Sequence, residues 1–400
     1  YAPEFIDKYN LLRAEVIETV TGYKLPVITL EASTPKEAVC KIFENVNTGG
    51  VVLTVFELVT ASFAAEDFDL RKDWEECREI IRGTDSDIMN DVDEVSFLTA
   101  MTLYSTFMNN NAATSCKKKD ILSLSFADYK SYRNSLLEGF KMARKFLLYQ
   151  CIFRQRDLPY SSQIIPLSAI CAVIGKEKFN TSTEILSKWF WCGVFGELYG
   201  HSTDTRYVYD IEDVTAEIMG RPSINRTINE SFFQAVRLLS LQTRNSAAYK
   251  GIMALLYRNG CKDFVSGAIM DVAKSMDETP DIHHIFPAKY CRTHNLPDEK
   301  WNSIINKTPL LYSSNRLIGG EAPSKYSARI MKKISLTDSA LRERIESNLI
   351  DYDAFIADDF SKYFIDRAKK LLRLIELATG RTITDKDSEQ TIELYGSSLT

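Results

Sequence analysis

Asp281-Ile282-His283-His284-Ile285-Phe286-Pro287 sets adjacent histidines in a short apolar run, and with His294 it gathers three of the chain's four histidines within twelve residues. Downstream stands Ile305-Asn306-Lys307-Thr308-Pro309-Leu310-Leu311-Tyr312-Ser313-Ser314-Asn315-Arg316, followed by Gly319-Gly320 and Pro323-Ser324-Lys325-Tyr326. A strand ending in the two histidines, a loop holding one Asn and a helix presenting a second Asn would build a compact β–β–α unit. In such a unit one imidazole and a side-chain carbonyl can hold a divalent cation while the other imidazole acts as a general base. The cation would stabilise charge developing on a scissile phosphate.

Local charge suits that substrate. Between His283 and Lys333 nine basic residues stand against three acidic ones, a net of +6, whereas the whole chain carries −5. A basic segment of this kind is what contact with a phosphate backbone requires. A solvated face and a pair of hydrogen-bonded core histidines are the plainer alternatives. Structural zinc would need four good nitrogen or sulfur ligands, and Cys291 is the one nearby thiol.

Working outward, 400 residues leave room for two or three domains. An apolar fraction of 45% with 26% charged residues excludes a disordered chain and a disulfide-dense miniprotein. No window approaches the roughly 18 apolar residues of a membrane span, and no leader follows Tyr1, so a cytoplasmic protein lacking an N-terminal part is expected. The eight cysteines form no CxxC pair and read as reduced, buried small hydrophobes.

Apolar periodicity predicts helices over 4–21, from Thr34 to Val46, from about Thr54, and over 132–152, 162–175, 183–199 and 246–259. A strand is expected at Leu25–Leu30. Trp189-Phe190-Trp191-Cys192 reads as core. The loop Asn109-Asn110-Asn111 and the run Lys117-Lys118-Lys119 suggest a boundary near 120. Texture changes over 281–333, and two helices are expected after Ser335, the second ending at a Gly380 cap. The fold class is α+β, predominantly α-helical.

The stretch Asp281–Pro287 with Asn306 and Asn315 resembles the HNH (ββα-metal) nuclease motif. Extended through Pro323-Ser324-Lys325-Tyr326, it resembles the C-terminal HNH domain of GmrSD-type modification-dependent restriction endonucleases, whose plan SspE-type effectors share. The resemblance implies His284 as general base, His283 and Asn315 as metal ligands, Asn306 as the residue that orients the site, and Arg316 and Lys325 on DNA phosphate. Many such nucleases carry Asp at the position of His283, and an imidazole there shifts preference from Mg²⁺ toward Mn²⁺, Ni²⁺ or Zn²⁺. Asp281 is an alternative oxygen ligand.

Phe43-Glu44-Asn45-Val46-Asn47-Thr48-Gly49-Gly50, with Leu53 and Phe56-Glu57-Leu58, resembles the segment closing the ParB/sulfiredoxin-like domain of the same proteins. That domain is associated with nucleotide hydrolysis and the sensing of modified DNA, but its Asp-Gly-Gln-Gln-Arg motif is absent here. The expected organisation is a remnant of that domain at 1–120, a helical middle at 121–260, the nuclease module at 261–335 and a helical closure at 336–400. The expected function is a metal-dependent DNA endonuclease of restriction or anti-phage defence. A non-catalytic DNA-binding scaffold and a nucleotide-switched effector are the alternatives. DNA, including modified phage DNA, is the expected partner, with nucleotide acting through the N-terminal region, no membrane, and homo-oligomerisation open. Asn47-Thr48-Gly49-Gly50 reads as a turn or a phosphate loop. Arg206 and Arg244 read as DNA or nucleotide contacts or as ion-paired residues between helices, and His201 as a helix-dipole partner.

Overall fold

A computed structural model describes residues 3–24, 54–84, 86–109, 113–200, 203–270 and 280–400, with isolated positions between 27 and 42. The expected strand at Leu25–Leu30, the helix from Thr34 to Val46, Asn47-Thr48-Gly49-Gly50, Cys40, Asn110-Asn111 and His201 fall wholly or mostly outside the described residues. The chain divides into two compact units, Tyr1–Leu53 and Thr54–Thr400. The expected limits at 120, 260 and 335 all lie within the second.

The first unit carries α1 (Pro3–Leu12) and α2 (Glu18–Gly22), joined by a π-helical turn at Arg13–Ile17, where one continuous helix is expected.

The second unit is predominantly helical. It opens with α3 (Val55–Ala64), started by a capping box in which the Thr54 hydroxyl accepts from the Glu57 N–H and the Glu57 carboxylate accepts from the Thr54 N–H. Next come α4 (Leu70–Arg82), α5 (Glu94–Met108) and α6 (Phe126–Tyr149), each begun by an Asp or Ser side chain that accepts from a first-turn N–H. Helix α5 is buried continuously from Phe97 to Ser105, so it forms the core beneath α6 and α7 (Ile164–Thr181). Helix α7 breaks at Gly175, whose φ of +68° suits a residue without Cβ, and this accounts for the expected end at 175.

Helix α8 (Thr183–Phe195) buries Trp189, Phe190, Trp191 and Cys192, as the aromatic pattern predicts. The Trp189 indole donates to Asp210 of α9 (Asp204–Ile218) at 2.8 Å, and the Trp191 indole donates to Gln150 at 2.9 Å. Arg206 pairs with Glu230 and donates to Thr227, so it is ion-paired between helices. None of the seven described cysteines is in a disulfide, and six are buried.

After α10 (Ala247–Arg258), strands β1 (Pro280–His284) and β2 (Lys307–Leu311) form an antiparallel ribbon, with His283 opposite Thr308 and His284 opposite Lys307. Helix α11 (Tyr312–Ile318) follows β2 directly, and α12 (Pro323–Ile334) packs on it. Four helices rather than two follow Ser335. They are α13 (Asp338–Glu346), α14 (Tyr352–Ile356), α15 (Phe360–Thr379) and α16 (Glu389–Tyr395). The single expected helix from 352 to 380 is interrupted because Asp358 takes φ +56° and Asp359 starts a new N-cap. Gly380 ends α15 in the left-handed region, as expected. Among the described residues no helix is long and apolar enough to cross a membrane.

Candidate functional site

Alternation along β1 sends Asp281 and His283 to one face of the ribbon and Pro280, Ile282 and His284 to the other. On the first face α11 supplies Asn315. Its Oδ1 lies 2.6 Å from His283 Nδ1, and its Nδ2 donates to Asp281 Oδ2 at 2.7 Å. With the amide so oriented, His283 Nδ1 carries the proton and Nε2 keeps the lone pair. That Nε2 is buried and has no partner among the described residues. Burial, with His284 alongside, pushes the His283 imidazole down to about 4, against the opposing effects of Asn315 and Asp281, so the ring is neutral at neutral pH. Asp281 also receives Arg244 Nη2 at 3.2 Å, so Arg244 too is ion-paired.

His284 is half-buried on the opposite face. Its Nε2 lies 3.2 Å from Asn302 Oδ1, and its ring sits 5.6 Å from that of Trp301. With the Asn302 carbonyl accepting from Nε2–H, Nδ1 carries the lone pair. Burial holds the imidazole below its ordinary range; Lys307 and Arg292 add to this, and the Asn302 bond opposes it. His283, Asn315 and Asp281 are therefore brought together, whereas His284 belongs to a separate hydrogen-bonded pair.

Asn306, at the turn before β2, is fully buried. Its Oδ1 accepts from Phe286 N at 2.9 Å, and its Nδ2 donates to the carbonyls of Phe286 and Trp301, each at 2.9 Å. It clamps the backbone two residues beyond His284 and is a positioning residue. Tyr363 of α15 donates to the Ile305 carbonyl at 2.9 Å and to Asn306 Oδ1 at 3.3 Å. Arg367, one turn on and wholly buried, donates to the carbonyls of Asn348, Ile304, Ile305 and Lys307. The start of α11 is held by buried Asp263, which accepts from Ser314 Oγ at 2.7 Å and Leu311 N at 3.0 Å.

Arg316 and Lys325 are exposed, with Arg316 6.0 Å from the Tyr312 ring. Of the nine basic residues counted above, Lys307 turns inward and donates to the Gln242 carbonyl at 2.6 Å. Burial, with Arg244 nearby, pushes its ammonium down to about 8.

Asn302, Asp263, Tyr363 and Arg367 escaped the sequence reading. Arg367 alone left a signal there, because it is a cation on the apolar stripe Phe360, Tyr363, Phe364, Ala368, Leu371.

No protein-family model matches the chain. The chain is similar to the uncharacterized protein MJ0686 of Methanocaldococcus jannaschii, at 24% identity over 90% of this chain and 66% of the relative. It thus spans just under two thirds of that relative's length.

Proposed function

We propose that the chain carries a divalent-metal-dependent endonuclease site of the ββα-metal kind, which hydrolyses DNA phosphodiester bonds in modification-dependent restriction or anti-phage defence. The observation that supports it most is the set Asp281–Asn315–His283 on one face of β1 and α11, with neutral His284 next in the strand.

A cation fits this donor set. Among the described residues no three or more histidine, cysteine or acidic side chains cluster as a metal site, so the ligands would be mixed. They are the His283 imidazole, the Asn315 carbonyl and the Asp281 carboxylate. The ring nitrogen on the side of Asn315 and Asp281 is Nδ1, so binding would move the imidazole proton to Nε2 and leave the Nδ1 lone pair for the ion. Two oxygens with one imidazole suit Mg²⁺ or Mn²⁺, and the imidazole also admits Ni²⁺ or Zn²⁺. When bound, the ion would neutralise charge on the scissile phosphate and its leaving oxygen.

His284, uncharged at neutral pH, takes a proton from the attacking water. Asn302 holds the imidazole, and Asn306 fixes the backbone that carries it. Exposed Arg316 and Lys325 neutralise flanking phosphates, contacts that position DNA without reading its sequence.

Supercoiled plasmid incubated with Mg²⁺, Mn²⁺, Ni²⁺ or Zn²⁺ separately is expected to be nicked with at least one ion and left intact with a chelator. DNA retention with steep salt dependence and no nicking in any ion would instead establish a binding scaffold. Nicking that survives the chelator would remove the metal from the account.

A further inference from the structure

On the ribbon face away from Asp281 and His283, β1 and α10 enclose a recess. Tyr249, Met253 and Tyr257, one stripe of α10, form its floor with Ile282. Arg154, Arg156, Arg244 and Lys250 ring it, and Asp157 is the one carboxylate in its lining. Arg156 stands 3.9 Å from Asp157, Arg244 leans outward to Asp281, and Lys250 donates to the Leu158 carbonyl at 3.0 Å. The Arg154 guanidinium makes no hydrogen bond or ion pair among the described residues.

Four cations facing one carboxylate in a half-closed, largely apolar recess repel one another, and an anion offsets that cost. The cavity volume is about 40 Å³. At about 10–15 Å³ per water site this is roughly three oxygens, as many as a phosphate monoester presents.

We propose that this recess binds a phosphoryl group, with Arg154, Arg156, Arg244 and Lys250 as its donors. Guanidinium forks pair with phosphate oxygens two at a time, which suits three arginines arranged around one small cavity. The phosphoryl group belongs either to a free phosphate ester or to the backbone of a nucleic acid lying across β1. The site touches the proposed cation site only through the Arg244–Asp281 ion pair, which the variant below leaves in place.

Calorimetric titration of the full chain with inorganic phosphate at low salt tests it, with an Arg154→Ala/Arg156→Ala double variant alongside. Both arginines are partly or fully exposed, so the variant is expected to keep its fold, which circular dichroism checks. Saturable binding weakened about tenfold or more in the variant is the expected result. No binding by the wild type up to about 10 mM phosphate, or equal binding by the variant, overturns the proposal. Short duplex DNA added to the phosphate-loaded protein separates the two sources. Displacement of phosphate, with weaker DNA retention by the variant, identifies the backbone, and undisturbed phosphate binding identifies a free ester.

Discussion

His284→Ala is expected to lower plasmid nicking by about 10²–10⁴-fold, the usual contribution of a general base. DNA affinity and thermal unfolding stay close to wild type, because His284 is only half-buried and makes one side-chain hydrogen bond, to Asn302. The wild-type rate is expected to fall on the acid side, below the ordinary histidine value near 6.5, since burial lowers the point at which this imidazole takes up a proton. The variant loses that limb of the profile. His284→Gln, which can still hydrogen-bond but cannot accept a proton at this pH, is equally slow. A variant that nicks at the wild-type rate would remove His284 from the chemistry and leave only the fold-level part of the account.

Asn306→Ala is expected to cost on the order of 3–5 kcal/mol of stability. The side chain satisfies the Phe286 N–H and the carbonyls of Phe286 and Trp301 in a fully buried position. Each orphaned group costs about 1–3 kcal/mol, and the small cavity left behind adds to this. Tyr363 Oη keeps its bond to the Ile305 carbonyl, so the loss stays below the simple sum. Urea unfolding at an unchanged m-value measures it. A shift under about 1 kcal/mol would mean that the turn after β1 is held without Asn306 by Arg367 and by Tyr326, whose hydroxyl donates to the Ile285 carbonyl at 2.8 Å.

The ribbon and its helix were legible because polar residues stand at fixed places in apolar surroundings. Adjacent histidines in Ile282–Phe286 mark a strand end, and Asn306 and Asn315 bracket the strand Lys307–Leu311. The long helices were legible from their apolar stripes, and Gly380 as the cap that ends α15. What local sequence did not reveal was the support arriving from far along the chain. Asp263 reaches Ser314 across 51 residues, and Arg367 reaches Ile305 across 62. Such pairings are set by how helices pack, not by any local period. Strand alternation does separate the two imidazoles, and it follows from their adjacency alone. The +6 segment also overstated the exposed charge, because Lys307 is opposite His284 in the ribbon and turns inward.

The central claim is that His283 and Asn315, with Asp281, hold a divalent cation, and that the adjacent His284 is not one of its ligands. Titration of Mn²⁺ followed by the electron paramagnetic resonance of the free ion tests this most directly, because it needs neither DNA nor an activating partner. The account predicts one site in the wild type that His283→Ala abolishes and His284→Ala retains. Equal Mn²⁺ uptake by wild type and His283→Ala would contradict it.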